Sequence, residues 1–222
     1  MTASQSDYTL EALDRNDLRK ELIGELEELR SHKQLSKEQV AVVLGQWYHP
    51  LHYFPVFLSR LIAVSPRIEI QTHVSRILWQ ELGSGDSKNA HELIYISTMT
   101  DAGFERDQIA GAAPFENTER LVAGYEQASE GFLTGLGFLY STEVADLAMV
   151  SSIGKLVRQT TGTRALPWLD IHIAQEPDHV ESSSQTLRPS FAAEERRQII
   201  ESGERMWSLW IDFFKSIKAA IY

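Results

Sequence analysis

Apolar residues recur at three- and four-residue steps along almost the whole chain, and no segment alternates convincingly with the two-residue period of a strand. That pattern predicts an all-α fold. Leu10, Leu13, Leu18, Leu22, Ile23, Leu26 and Leu29 lay one apolar face along an acidic first helix. Ser36 and Gln39 form a capping box that opens a second helix, and Pro50 and Pro55 predict a kink or break within it. A third helix spans about 68–82 and meets a turn at Gly83, Ser84, Gly85 and Asp86, after which a fourth runs from Ser87 to about Thr100. Residues 115–157 are rich in helix formers, with Gly131, Gly135 and Gly137 spaced for close approach by a neighbouring helix. Residues 160–163 break the pattern, and Pro167 starts another helix. Residues 182–189 read as a long polar loop, and Ser190 as the cap of a final helix whose apolar face includes Ile199, Met206, Trp207, Trp210, Phe213, Phe214 and Ile217.

The bulk properties narrow the function classes. No linker or shift in composition interrupts the 222 residues, which predicts one domain over 1–222. A net charge of −10 argues against nucleic acid and anionic lipid as partners, since both need clustered Lys and Arg. With no cysteine, thiolate catalysis, iron–sulfur clusters and thiolate zinc sites are all excluded. Residues 1–10 show no signal segment, and no apolar run approaches the ~20 residues of a membrane span. A cytoplasmic protein with no membrane partner is the expectation.

Chemistry concentrates in W168-L-D-I-H-I-A-Q-E-P-D-H-V-E181. His172, Glu176 and His179 stand at i, i+4 and i+7, so on a helix turning about 100° per residue they share one narrow stripe. A single helical His is usually an ordinary hydrogen-bonded residue. Three ligand-type side chains on one stripe among Leu169, Ile171, Ile173 and Val180 point instead to metal ligation. Pro177, between Glu176 and His179, is expected to bend the helix. Upstream, Glu81 and His91 flank the glycine turn, which would let both aim inward. His91-E-L-I-Tyr95 lacks the second His of a zinc-protease motif. Glu143 sits in an apolar run, where a carboxylate needs a metal or a salt bridge, with Lys155, Arg158 or an Arg elsewhere as the salt-bridge alternatives. Asp146, one turn later, is a candidate for supporting the ligands from behind or for serving as a replaceable ligand. A cysteine-free set of nitrogen and oxygen donors suits iron or manganese, and six donors suit two ions bridged by carboxylates. Glu176 and His179 make the chain's only Glu-x-x-His, which disfavours a ferritin arrangement.

The order Glu81…His91, then G-x-L-Y-x-x-Glu143, then His172-x-x-x-Glu176-x-x-His179 resembles the haem-oxygenase-like di-iron oxidases. These are iron-containing redox enzymes related to TenA and PqqC proteins, and the likeness runs from about Gln46 to Val180. It implies a seven-helix haem-oxygenase-like bundle, usually a homodimer. It also implies Glu81, His91, Glu143, His172, Glu176 and His179 as ligands of two iron ions, with O2 as co-substrate. The family more often has Asp where this chain has Glu176. Some members draw an extra carboxylate from an earlier helix, where this chain offers only His49 and His52.

The implied activity is O2-dependent oxidation of a small carboxylate-bearing molecule, first an α-amino acid, in specialised-metabolite biosynthesis. N-oxidation, C–C cleavage and nitrile, alkene or alkyne formation are the candidate outcomes. An Arg among Arg76, Arg158, Arg164 and Arg188 would meet the carboxylate, and Trp79, Tyr95, Phe138, Tyr140 and Trp168 would suit an apolar side chain. Three alternatives stand beside this reading: a fatty-acid-type oxidative decarboxylase of the same fold, a cofactorless PqqC- or TenA-like enzyme, and a non-enzymatic acidic helical interaction protein. The TenA type is weakened by the missing Cys nucleophile.

Overall fold

The computed structural model describes residues 5–31 and 35–222; residues 1–4, part of the N-terminus read above, lie outside it, as do residues 32–34. Ten α-helices and no strand occur among the described residues. They are α1 (Gln5–Asp14), α2 (Asp17–Ser31), α3 (Lys37–Val64), α4 (Ile68–Glu81), α5 (His91–Asp101), α6 (Arg106–Ala110), α7 (Glu116–Ala128), α8 (Phe132–Thr161), α9 (Pro167–Leu187) and α10 (Ala193–Ile221). The all-α expectation holds. The count exceeds the expected seven, in part because the N-terminal segment forms two helices and α6 is a single short turn.

Several boundaries differ from the sequence reading, each for a local reason. The expected single first helix is two, because Asn16 accepts from the Leu18 N–H at 2.9 Å and caps α2 afresh. The capping box of α3 is present, with Gln39 N–H donating to Ser36 Oγ at 3.3 Å and Ser36 N–H to Gln39 Oε1 at 2.8 Å. Of the kink or break expected at Pro50 and Pro55, the break is absent, since α3 runs through both. Buried Trp47, Phe57, Leu58 and Leu61 anchor the helix on either side of the prolines, so packing overrides propensity. A 3₁₀ turn at Ser87–Asn89 precedes α5, delaying the fourth helix to His91.

The polar loop expected over 182–189 is helix as far as Leu187. Ser183 Oγ donates to the Val180 carbonyl at 3.0 Å and Thr186 Oγ1 to the Ser183 carbonyl at 2.6 Å. With their hydroxyls satisfied on their own helix, these residues are buried without penalty. Ser190 does not cap α10. The cap is Ala192, whose N–H donates to Glu195 at 2.6 Å.

Helix α8 is the central element, packed against α10, α9, α2 and α3. The glycines seen in sequence make this possible. A Cβ on Gly137 would stand 2.2 Å from the Ile199 carbonyl oxygen, so only glycine admits α10 at this distance. Below the crossing, Trp207 of α10 donates its indole N–H to the Ser141 carbonyl at 3.0 Å. The surrounding core is aromatic, with Trp168, Tyr95, Tyr125, Phe57, Phe138, Phe213 and Phe214 all fully buried.

Candidate metal centre

Four helices deliver the six residues singled out in the sequence to one buried place. Glu81 ends α4, His91 begins α5, Glu143 lies midway along α8, and His172, Glu176 and His179 line one face of α9. None is more than 6% exposed. Between Glu81 and His91 the chain reverses through Gly83, Ser84 and Gly85, all at positive φ. Gly83 has no room for a side chain, since a Cβ there would lie 2.2 Å from the Asp86 carbonyl oxygen. The turn brings Glu81 Oε2 to 3.0 Å from His91 Nδ1. The helix end, glycine turn and new helix read from the sequence are therefore all present.

Hydrogen bonds behind the imidazoles fix which nitrogen faces the cluster. His172 Nδ1 donates to the Trp168 carbonyl at 2.7 Å, leaving the lone pair on Nε2. His91 Nε2 lies 2.9 Å from Gln175 Oε1 and donates to it, leaving Nδ1 to face Glu81 and the cluster. His179 Nδ1 is 3.5 Å from Glu143 Oε2 and 3.7 Å from Glu81 Oε1. Donor atoms of Glu143, Glu176 and His179 lie within 4.8 Å of one another. The second group is linked pairwise, Glu81 to His91 as above and His91 to His172 with ring centroids 4.7 Å apart. The salt-bridge alternative for Glu143 is not realised, because its ion-pair partner is His179 and neither Lys155 nor Arg158.

The protonation pattern is that of a cluster missing positive charge. Burial raises Glu176 far above the carboxylate range, and Asp146 and Glu143 beside it push the same way. Burial and then Glu143 push Asp146 up to about 7. Burial opposes the charge on His179, but Glu143 outweighs it and raises the ring to about 9. Glu81 is buried too, yet His91 holds it down at about 2. His91 is raised by the same pairing against its burial. His172, buried and beside His91, falls to about 4 and is neutral at pH 7.

Among the buried side-chain atoms of the described residues that lack a hydrogen-bond partner, four belong to the cluster: Glu143 Oε1, both Glu176 oxygens and His179 Nε2. Buried polar atoms are rarely left so, and these converge on one another. Buried imidazole nitrogens and carboxylate oxygens that become free donors once their protons leave are what a first-row cation such as iron requires, so the residues fit the group.

Beside the cluster lies a narrow cavity of about 30 Å³, walled by Trp47, Pro50, Leu51, Phe54, Tyr125, Thr142 and Trp210. Sequence reading missed these residues, because aromatics at helical spacing in α3 and α10 look like ordinary core. Of the five aromatics named for the pocket, none lines it. Trp79 is 56% exposed, Tyr95, Phe138 and Trp168 pack in the core, and Tyr140 donates to Asp14 at 2.9 Å in a separate groove. No Arg or Lys lines the cavity. Arg76 pairs with Asp178 and Arg188 with Glu181 on the surface. His49 and His52 are engaged away from the cluster, with the Ala112 carbonyl and with Glu92.

Solved structures share this architecture. A CADD-like protein of unknown function from Nostoc punctiforme superposes with a TM-score of 0.80 at 14% identity, over 98% of this chain and 96% of that one. A domain of unknown function with a heme oxygenase-like fold from Shewanella denitrificans matches at 0.70 and 16%, over 96% and 88%. A TenA homologue from Pseudomonas syringae pv. tomato matches at 0.63 and 9%, over 91% of each chain. The fold is therefore heme oxygenase-like. No curated protein matches the chain. No helix among the described residues is long and apolar enough to cross a membrane. The sequence pattern of one family covers residues 41–211, most of the chain and every residue of the cluster, and by that match the protein belongs to the iron-containing redox enzymes.

Proposed function

We propose that this protein is a non-haem di-iron oxidase or oxygenase that uses O2 to oxidise a small carboxylate-bearing molecule. The observation that carries the reading is the set of four unpartnered, buried ligand atoms converging from α8 and α9, beside the buried Glu81–His91 pair. Glu143, Glu176 and His179 would hold one ion, and Glu81, His91 and His172 the other. A bound ferrous pair supplies electrons and open coordination positions for O2 activation. The chain's residues do the rest. Trp168 and Gln175 hold two imidazoles in their ligating tautomers. Trp47, Leu51, Phe54 and Trp210 exclude water and form the wall against which substrate lies.

An α-amino acid is the first substrate class, its amine facing the carboxylate-rich side of the cavity. The apolar lining and the lack of an Arg or Lys there favour a second reading, oxidative decarboxylation of a fatty-acid-type chain. In either case the carboxylate would be met at the metal centre. A cytoplasmic homodimer belongs to the same reading; exposed Trp79 and Leu82 at the end of α4 and Ile173 on the adjoining α9 support self-association.

The test is anaerobic Fe(II) titration of metal-free protein, then O2 mixing with stopped-flow absorption across a panel of amino acids and fatty acids. About two irons per chain and a transient visible band accelerated by one substrate class are expected. Leu51→Trp, which fills the cavity, should keep iron uptake and lose the acceleration. Absence of iron uptake would overturn the proposal and leave the buried cluster as a structural network.

A further inference from the structure

A seventh side chain faces the cluster. Asp146 stands on α8 three residues after Glu143, on the same face, and lines the cavity with Glu81, Glu143, His172 and His179. Its Oδ2 lies 3.8 Å from His172 Nε2. That nitrogen is the lone-pair end of the ring, because Nδ1 is committed to the Trp168 carbonyl. The gap is too long for a hydrogen bond. Two bonds of about 2.1 Å to a single ion span it comfortably.

Charge balance points the same way. Three neutral imidazoles with Glu81, Glu143 and Glu176 would leave two divalent ions with one uncompensated positive charge in a buried site. A fourth carboxylate brings the site to neutrality, where burial is least costly. Asp146 is the carboxylate in place. Among the described residues no Lys or Arg pairs with Asp146, Glu143 or Glu176, while both Glu176 oxygens and Glu143 Oε1 stand buried and unpartnered beside it.

We infer that Asp146 is a direct metal ligand, completing the coordination of the ion held by His172. The inference rests on the metal reading given under Proposed function, and the experiment separates the two. Cobalt(II) is titrated anaerobically into metal-free wild type, Asp146→Asn, Asp146→Glu and His172→Ala, with visible absorption and bound metal as readouts. Wild type and Asp146→Glu should take up about two cobalt ions. Asp146→Asn should take up one tightly, with affinity for the second lowered more than 100-fold and a spectrum matching that of His172→Ala. A residue acting only from behind the ligands costs about 10–100-fold. Two ions in Asp146→Asn, bound within that range and with the wild-type spectrum, would overturn direct ligation while leaving the metal centre intact. No cobalt in wild type would sink the metal reading itself. Asn keeps the shape of Asp, and the circular dichroism of the metal-free variant verifies that the fold is unchanged.

Discussion

Replacing Glu176 separates a metal centre from a structural network by the sign of a stability change. In the metal-free protein this carboxyl is 2% exposed and neither oxygen has a hydrogen-bond partner. Leaving such a group unsatisfied costs about 1–3 kcal/mol. Glu176→Met removes both oxygens at nearly constant volume, and with them that cost. The metal-free variant should therefore be about 1–3 kcal/mol more stable. For a chain of this size each kcal/mol moves Tm by about 2–4 °C, so a rise of roughly 2–12 °C is expected. Metal reverses the order. A ligand at one hundred times its Kd adds about 2.7 kcal/mol to a protein that binds it, and the variant has lost a donor. Thermal unfolding in chelator, and again under anaerobic Fe(II), reads both signs. A variant that melts below wild type in chelator would refute the reasoning, because Glu176 would then be a satisfied member of a hydrogen-bonded core.

Two further outcomes follow from the same structure. In the metal-free protein His179 keeps its proton to about pH 9 and Asp146 to about pH 7, with Glu176 raised further, so metal must displace protons to bind. Calorimetry in buffers of different ionisation enthalpy should show proton release on metal binding at pH 6 and a tighter apparent affinity as pH rises through 7 to 9. An affinity flat across that range would contradict the assigned protonation. Gly137→Ala would place a methyl 2.2 Å from the Ile199 carbonyl oxygen and should cost about 3 kcal/mol in urea unfolding, whereas Gly24→Ala, with nothing within 4 Å, should be neutral or stabilising.

The ligand-type residues were legible in the sequence because each obeys a local rule. His172, Glu176 and His179 sit at helical spacing on α9, and Glu81 and His91 flank a glycine turn whose positive φ values the structure bears out. The cavity was not legible. Trp47 on α3 and Trp210 on α10 approach each other, with ring centroids 5.2 Å apart, through tertiary packing that periodicity cannot register. The same limit explains the false loop over 182–189 and the false break at Pro50 and Pro55. A run of Ser and Thr looks like a loop until its hydroxyls are seen bonded to their own helix. Prolines look like breaks until the flanking side chains are seen buried. For Asp146 the sequence left supporter and replaceable ligand open, since its distance to His172 depends on how α8 crosses α9.

Pro177 is where the demands of the helix and of the site meet. It removes the N–H that would reach the Ile173 carbonyl, and its ring crowds that oxygen, a defect worth about 3 kcal/mol inside a helix. Yet α9 continues to Leu187. Ile173 is 53% exposed, so its carbonyl lies toward the outer face, where water can take up the lost bond. A bend opened on that side would be convex to solvent and would lean the turn bearing Glu176 and His179 toward the core. The proline therefore acts on the aim of the ligands at a cost in helix stability. Pro177→Ala should raise metal-free stability by about 1–3 kcal/mol in urea unfolding and weaken metal binding at the Glu143, Glu176 and His179 group, both measured on one preparation. Greater stability with unchanged affinity would reduce Pro177 to a tolerated defect. Lower stability would mean that the bend is dictated by packing around α9 and not by the proline.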